Sequence, residues 1–274
     1  MQPLVSVCIP AYNNAAYIKD TIDSILKQTY SNLELVIVDD QSKDNTVEVI
    51  KSIQDERIKL YENEKNLGMS GNWNRCLELC QGEFIKLVCA DDMLAEDAIE
   101  KEAKALIDHP DVVMAESDTR LVDLNGKYKG WYRRYRTKGV TDGKKIARAG
   151  FFCKNYFGAP LANMFRKSVV EQLHGFDSHY YYILDYDLWV RIACLGNVYI
   201  IHEPLNFFRV RNDSNTGEVM AGDKTETYVA EHRYLVEKHK DELHMSKFEV
   251  ELSVFIRKFR NFAGSVYLKL FVHD

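Results

Sequence analysis

Four carboxylates follow two short apolar segments in the first half of the chain. Asp39 and Asp40 come directly after residues 34–38, and Asp91 and Asp92 come just after residues 84–89. Ligands of open parallel sheets bind beyond the carboxyl ends of the strands, so these acids would share one edge of a sheet. Converging carboxylates repel one another unless a cation or hydrogen-bond donors neutralise them. Because Mg²⁺ and Mn²⁺ bind carboxylate and phosphate oxygens, the pattern predicts a metal–nucleotide site, and capping of the following helices is the structural alternative.

The apolar spacing of the first half predicts the elements that would position these acids. Strands are expected at residues 4–9, 34–38, 57–61 and 84–89. Helices are expected from about residue 18, from about residue 44, over 72–80, and over 96–107, where His109-Pro110 follows. Strands that alternate with helices predict an α/β fold with a mostly parallel, doubly wound sheet.

The second half is less regular. Short strands are expected on either side of a turn at Asn125-Gly126, helices at two further places, and extended segments before a helical tail that begins near Thr225. The corresponding ranges are 112–115 and 120–124, then 144–152 and 185–195, then 198–201 and 205–210. Asn-Gly is typical of a tight turn between paired strands.

Composition excludes several classes of protein. The 274 residues are 46% hydrophobic and 28% charged, with a net charge of -5, which is typical of a globular protein and predicts no nucleic-acid partner. No apolar run approaches the roughly 20 residues that span a bilayer. The start lacks the basic segment of a signal peptide, and the six cysteines lack paired zinc spacing. We therefore predict a cytoplasmic protein with reduced cysteines.

Several segments together resemble the family 2 glycosyltransferases. They are VSVCIPAYN at residues 5–13, ELVIVDDQS at 34–42, ADD at 90–92, DYDLWVR at 185–191 and FRVR at 208–211. The resemblance implies a GT-A (Rossmann-like) fold, a mostly parallel sheet flanked by helices with a C-terminal helical extension. It divides the chain into a nucleotide-sugar-binding half at 1–115, an acceptor-binding half of the same domain at 116–215, and the extension at 216–274. Motifs of dinucleotide-binding dehydrogenases, P-loop enzymes and α/β-hydrolases are missing from the sequence.

The resemblance implies a site for a nucleotide-sugar donor. Tyr12 would stack on the base, usually uracil, while Asp39 accepts its N–H, and Asp40 is the better candidate for a helix or loop cap. Two arginines on one face of an extended segment can grip a diphosphate, although one of them could pair with a surface acid instead. The implied donor-binding residues are Pro10, Ala11, Tyr12, Asn13, Asp39, Asp91, Arg209 and Arg211.

The metal motif departs from the family pattern. The family has Asp-x-Asp, whereas this chain has Cys89-Ala90-Asp91, so the first carboxylate is missing. Asp91 and Asp92 remain as the implied ligands of Mn²⁺ or Mg²⁺. A hard cation does not favour a thiolate, so Cys89 is expected to be buried and inert.

Asp185 matches the position of the family's general base. In an inverting transfer, the base takes the proton of the acceptor hydroxyl as that oxygen attacks the sugar. Asp185 opens a predicted helix, so a capping role is the structural alternative, and Asp187 is the second candidate base. Arg191 is expected to pair with one of these acids.

Two regions could contact a larger partner. Residues 127–138 alternate basic and aromatic side chains, which suits an acceptor or a membrane surface, or is simply a solvated hairpin. The tail carries an apolar stripe that suits packing on the core, a homodimer contact or a peripheral contact with the inner face of the membrane. The stripe comprises Val250, Val254, Ile256, Phe259, Phe262, Val266 and Leu270.

The sequence therefore predicts a metal-dependent hexosyltransferase of polysaccharide biosynthesis. It would move a sugar from a nucleotide-diphosphate donor, a UDP-sugar, to a hydroxyl of a polysaccharide or lipid-linked oligosaccharide. Two alternatives stay open. One is a non-catalytic glycan- or membrane-binding module, which the missing carboxylate favours. The other is a sugar-phosphate nucleotidyltransferase, although residues 10–15 lack the Gly-rich, basic loop such an enzyme needs.

Overall fold

One mixed sheet forms the centre of the molecule. The computed structural model describes residues 2–211 and 224–271, with side chains as far as residue 261. The strands within these residues are β1 Val5–Ala11, β2 Leu33–Asp39, β3 Ile58–Glu62, β4 Phe84–Leu87, β5 Met93–Leu94, β6 Val112–Val122, β7 Tyr128–Tyr132, β8 Gly139–Asp142, β9 Asn163–Arg166 and β10 Asn197–Arg209.

The strand order is β3-β2-β1-β4-β9-β6-β10-β5, with β7 paired to β6 and β8 paired to β10. The pairings make β1, β2, β3, β4, β6 and β10 run in one direction, and the other four described strands run in the opposite direction. The predicted mostly parallel α/β sheet is confirmed. Its carboxyl-terminal edge brings the ends of β1, β2, β4 and β10 to one side of the molecule.

Helices cover both faces of the sheet. They are α1 Ile18–Leu26, α2 Thr46–Lys51, α3 Gly68–Leu79, α4 Ala98–Asp108, α5 Gly143–Phe152, α6 Lys167–Gln172, α7 Leu184–Cys194, α8 Thr225–His239 and α9 Lys247–Phe271.

The two faces bury separate cores because side chains alternate along each strand. Cys8 and Val36 pack with α3, α5 and α7, whereas Val7 and Ile37 pack with α1 and α4. β1, β2 and β4 are buried on both faces, as expected for parallel strands covered by helices on each side, whereas β3 at the edge of the sheet is only partly buried.

Two strands are longer than the sequence pattern predicted. Residues 112–124 were expected to hold two strands, but β6 is continuous, and the Asn125-Gly126 turn instead joins it to β7. The pattern was misleading because the polar run 116–119 is almost fully buried within β6. Likewise, β10 unites residues 198–201 and 205–210, with register shifts around Pro204. The helices at 96–107, 144–152 and 185–195 were placed within two residues of their observed bounds.

The C-terminal helices pack onto the core formed with α3, α5 and α7, which confirms the predicted helical extension. Leu235 and Val236 of α8 and Val250 of α9 join the same buried cluster as α7. The predicted stripe is divided between two faces: Val250 and Val254 are buried, whereas Phe259 is 62% exposed, on a face that it shares with Phe248 and Phe255. The side chains of Phe262, Val266 and Leu270 lie outside the described residues. Among the described helices, none has both the length and the apolar character that a bilayer crossing requires.

Candidate active site

The loops after β1 and β2 are joined into one platform at the carboxyl edge of the sheet. Ala11 lies beside Asp39 in register, and the backbone N–H of Asp40 donates to the Ala11 carbonyl at 2.9 Å. The backbone N–H of Asn13 donates to Ser42 Oγ at 2.9 Å. The five expected donor-side residues of these loops, Pro10, Ala11, Tyr12, Asn13 and Asp39, are therefore brought together.

Tyr12 and Asp39 differ in exposure. The Tyr12 ring is 47% exposed, so its face is available for stacking. Asp39 is only 2% exposed, and its carboxylate accepts the backbone N–H of Ser42 at 3.0 Å. The preceding loop carries a non-glycine residue with a left-handed backbone, Asn13 at φ 54°, and the following loop carries another, Gln41 at φ 62°. Such conformations cost energy and are concentrated at functional sites.

Asp40 organises the loop that begins α3, which confirms its predicted capping role. Its carboxylate accepts hydrogen bonds from Asn63 Nδ2 at 2.8 Å, the backbone N–H of Leu67 at 2.8 Å and that of Gly68 at 3.0 Å. Asp40 is 3% exposed. The two adjacent aspartates at the end of β2 therefore have different surroundings.

Asp91 and Asp92 lie beside the end of β10. Asp92 is 1% exposed, and its Oδ1 accepts the backbone N–H of Arg209 at 3.0 Å. Its Oδ2 finds no hydrogen-bond donor among the described residues. Burial, and then the neighbouring charge of Asp91, raise the pKa of Asp92 well above its ordinary value. Arg211 Nη1 donates to Asp91 Oδ2 at 3.1 Å.

These two carboxylates fit a divalent cation. They supply hard oxygen ligands. The buried Oδ2 of Asp92 has no hydrogen-bond donor among the described residues, and a bound cation would satisfy it instead. Cys89 is only partly buried, so the predicted full burial is wrong. It is still a poor ligand, because desolvation, followed by the charges of Asp92, Asp91 and Asp185, raises the pKa of its thiol well above its ordinary value. A protonated thiol has little affinity for Mn²⁺ or Mg²⁺.

Arg209 and Arg211 converge on one aromatic ring. The guanidinium carbon of each lies 4.9 Å from the centroid of the Tyr17 ring. Arg209 is 5% exposed and pairs with Asp20 at 3.2 Å, so it has a surface acid as partner. The sequence had not identified Tyr17, because its contact with residues almost 200 positions away leaves no local pattern.

Asp185 is the second residue of α7 and stands in an unusual environment. Its Oδ1 accepts the backbone N–H of Tyr186 at 2.7 Å, and its side chain does not cap the helix. Desolvation raises the pKa of Asp185 to about 7, although hydrogen bonds from the backbone N–H groups of Tyr186 and of Asp185 itself lower it. Its charge also raises the pKa of Cys89, the residue two positions before Asp91.

Asp187 is held in a different way. It is 0% exposed, and Arg191 donates to its Oδ2 at 2.7 Å. Asp187 is therefore the acid partner that was expected for Arg191. Lys238 of α8 approaches its Oδ1 at 3.4 Å. Arg191 also donates to the carbonyl of Gly175 at 2.8 Å. Asp187 is therefore a buried ion-pair member whose oxygens are occupied by cations.

Glu231 of α8 binds the loop that leads into α7. Its carboxylate accepts the backbone N–H groups of Tyr181 and Tyr182 at 2.9 Å each and that of Ile183 at 3.1 Å. The C-terminal helices therefore fix the approach to Asp185. No sequence signal marked Glu231, because its partners are backbone groups about 50 residues away.

Known proteins resemble this chain in sequence. Residues 6–173 match the model of glycosyl transferase family 2, a segment that contains Asp39 and Asp91 and ends before Asp185. An uncharacterized protein of Mycobacterium tuberculosis is 32% identical over 80% of this chain and 71% of its own length. An uncharacterized glycosyltransferase of Methanocaldococcus jannaschii is 30% identical over 78% of this chain and 73% of its own length.

Solved structures share the fold at low identity. S. aureus TarS 1-349 in complex with UDP-GlcNAc superposes with a TM-score of 0.71 at 18% identity, over 98% of this chain and 76% of that chain. The mannosyltransferase PcManGT from Pyrobaculum calidifontis, in complex with GDP-Man and Mn²⁺, gives 0.68 at 18% identity, over 97% and 74%. The family match covers more than half of this chain, and its sheet has the same GT-A architecture. The chain belongs to glycosyl transferase family 2.

Proposed function

We propose that this protein transfers a hexose, with inversion, from a UDP-sugar to a hydroxyl of a polysaccharide or lipid-linked oligosaccharide. The observation that carries the proposal is the placement of Asp185. The pKa of this carboxylate is raised to about 7, and its charge acts on Cys89, two residues before Asp91.

The donor would lie across the platform formed by the β1 and β2 loops. The exposed Tyr12 ring offers a face for the base, and the buried Asp39 carboxylate would accept a base N–H. The solved neighbours bind UDP-GlcNAc and GDP-Man, which supports a nucleotide-sugar donor. The preference for UDP over GDP is part of the proposal. Arg209 and Arg211 would bring positive charge to the diphosphate.

Asp91 and Asp92 would hold Mn²⁺ or Mg²⁺. PcManGT binds Mn²⁺ together with its donor, which supports a metal at the corresponding edge of this fold. When bound, such a cation supplies positive charge to the departing diphosphate. Because Cys89 replaces one carboxylate of the family motif, the donor diphosphate would complete much of the metal's coordination.

Asp185 would act as the general base. A carboxylate with a pKa of about 7 is largely ionised just above neutral pH and still basic enough to accept a hydroxyl proton. Asp187 is a weaker candidate, because Arg191 and Lys238 already occupy its oxygens. Residues 1–115 would then bind the donor, and residues 116–215 would supply the base and bind the acceptor.

The exposed face of α9 would make the contact with a larger assembly. Phe248, Phe255 and Phe259 are all more than 60% exposed at helical spacing, which suits a membrane surface or a second copy of the chain. This face is where we propose peripheral membrane contact, and for residues 127–138, the other candidate region, we propose contact with the acceptor instead. Residues 216–223 of the proposed extension 216–274 lie outside the described residues.

A panel of UDP-sugars tests the proposal. We expect one of them, with Mn²⁺, to be hydrolysed slowly to UDP and to raise the melting temperature, because a ligand that binds only the folded state stabilises it. Asp185→Asn should abolish hydrolysis and keep the thermal shift, Asp91→Ala should remove the Mn²⁺-dependent shift, and the exposed control Asp108→Asn should change neither. A thermal shift without hydrolysis in the unsubstituted protein would favour the non-catalytic module, for which Cys89 is the supporting observation.

A further inference from the structure

A basic cleft lies outside the donor site. It has a volume of about 820 Å³ and is formed by the end of β7, the segment that follows it, and the carboxyl end of α5. Its cationic lining residues include Arg133, Arg134, Arg136 and Lys154. None of these four belongs to the proposed donor, metal or base residues.

The exposed arginines of the cleft lack acidic ion-pair partners among the described residues. Arg133 and Arg136 are exposed, and neither forms an ion pair with an acid of the described residues. Arg134 is 3% exposed, its Nη2 donates to Thr119 Oγ1 at 2.9 Å, and its Nε finds no acceptor in the described part of the chain. Desolvation and then the charge of Arg134 lower the pKa of Lys154, as expected for cations crowded together. An anion placed there would relieve this repulsion.

The acid in the cleft wall offers little competition. Asp118 is 1% exposed and already accepts the backbone N–H of Arg134 at 2.8 Å. Its charge therefore contributes to the cleft from a buried position, while the exposed rim is formed by cations. The electrostatic balance at the rim favours an anionic ligand.

Aromatic side chains favour a saccharide over a bare ion or a flat surface. The Trp131 side chain is 42% exposed, and the Arg133 guanidinium lies 4.7 Å from the centroid of its ring. An exposed indole offers an apolar face to a sugar ring, while the adjacent guanidinium binds charged substituents. A concave cleft of this volume suits a discrete ligand of a few rings, whereas a membrane surface needs a protruding face.

The cleft is connected to α7 through α5. Ala149 lines the cleft, and the next residue, Gly150, lies against Tyr186, whose hydroxyl would be 2.6 Å from a Cβ added at Gly150. Tyr186 directly follows Asp185. The helix that lines the cleft therefore packs against the helix that carries the proposed base.

We propose that this cleft binds an anionic saccharide, a sugar chain that carries carboxylate or phosphate groups, as the acceptor of the reaction. The ligand's role as acceptor rests on the proposed transfer reaction, whereas the anion site stands independently of it. Arg133 and Arg136 contact the anionic groups, and Trp131 packs against a sugar ring.

Calorimetric titration of the full chain without donor tests the site. The probes are trigalacturonate for carboxylate, glucose 6-phosphate for phosphate, maltotriose as the neutral saccharide, inorganic phosphate as the bare ion, and phosphatidylglycerol vesicles as the membrane. The test variant is the double substitution Arg133→Glu with Arg136→Glu. Lys104→Glu is the control, since Lys104 is 72% exposed on α4, which packs on the opposite face of the sheet.

We expect trigalacturonate or glucose 6-phosphate to bind the unsubstituted protein and Lys104→Glu equally, at least tenfold more tightly than maltotriose. The double variant should weaken that binding at least tenfold, and a melting curve checks that it is folded. If it is not, Arg136→Ala replaces it, with a severalfold loss expected.

Three results would overturn the proposal: neither anionic saccharide binds, inorganic phosphate binds as tightly as both, or only the vesicles bind in a manner that depends on the two arginines. Donor hydrolysis by the same unsubstituted sample separates the two proposals. Saccharide binding without hydrolysis would reject the transfer reaction and keep the anion site, and hydrolysis without saccharide binding would do the reverse.

Discussion

The hydrogen bonds of Glu231 lead to a quantitative prediction about the C-terminal helices. Glu231 is 8% exposed and accepts three backbone N–H groups of the loop before Asp185. Hydrogen bonds to a charged group contribute about 1.5–3 kcal/mol each. Tyr181 is 50% exposed, so water can replace its bond in Glu231→Ala, whereas Ile183 is 3% exposed and its N–H would stay unsatisfied. We therefore expect a loss of about 3 kcal/mol rather than the full sum.

The assay is thermal and urea unfolding without ligand. At about 2–3 °C per kcal/mol for a chain of this size, Glu231→Ala should lower the melting temperature by about 6–9 °C. Glu237→Ala is the matched control on the same helix, because Glu237 is exposed and its ion-pair partner within the described part of the chain is Lys240 at 3.1 Å. Such a surface pair contributes about 0–1 kcal/mol, so its melting temperature should fall by less than about 3 °C.

A catalytic readout distinguishes positioning from bulk stability. Displacing Asp185 should lower kcat for donor hydrolysis by about 100-fold, since misplacement by about 1 Å has an effect of that size. The KM for the donor should stay within about twofold, because the β1 and β2 loops are untouched. Equal melting temperatures for the two alanine variants would refute the stabilising role, and an unchanged kcat at a temperature where Glu231→Ala is folded would refute the positioning role.

Three further predictions follow from buried carboxylates. Desolvation raises the pKa of Asp185 to about 7, so kcat/KM for donor hydrolysis should fall about tenfold per pH unit below pH 7 and level off above it. A flat profile from pH 5.5 to 8 would exclude Asp185 as the base. Burial raises the pKa of Glu116 to about 8, so between about pH 4.5 and 8 the native state keeps a proton that the unfolded chain releases. The free energy of unfolding should therefore fall by up to about 1.4 kcal/mol per pH unit as pH rises through this range. Glu116→Gln should flatten that dependence in urea unfolding, and an unchanged slope would contradict the assignment. Asp40→Ala should lower the free energy of unfolding by about 2–3 kcal/mol through the α3 loop, and a loss below about 0.5 kcal/mol in the same assay would show that water replaces its three bonds.

Much of the architecture follows from local sequence. Strand-length apolar runs that alternate with helix-period segments predicted a mostly parallel sheet, because each spacing determines which face an element can bury. The acids Asp39 and Asp91 could be assigned to one edge, since parallel strands share their carboxyl ends there. The family motifs then implied a nucleotide-sugar site from the types and order of residues alone.

Local sequence was least informative where a long-range contact supplies the stabilisation. The polar run 116–119 interrupts the apolar pattern but lies buried in β6, because neighbouring strands satisfy its backbone and α4 supplies a partner for Ser117. Asp185 and Asp187 have the same side chain two positions apart on one helix. Only packing separates them, since Arg191 and Lys238 occupy Asp187 while desolvation alone dominates at Asp185.

The sequence by itself determined the fold class, the family and the acids at the edge of the sheet, because periodicity and motif spacing are properties of neighbouring residues. Only the tertiary structure decided that Arg209 and Arg211 share the ring of Tyr17, and that Glu231 holds the loop before α7. It also decided that the basic stretch at 127–138 forms one wall of a cleft. Each of these depends on the distance between residues far apart in the chain, which the packing of helices on the sheet sets.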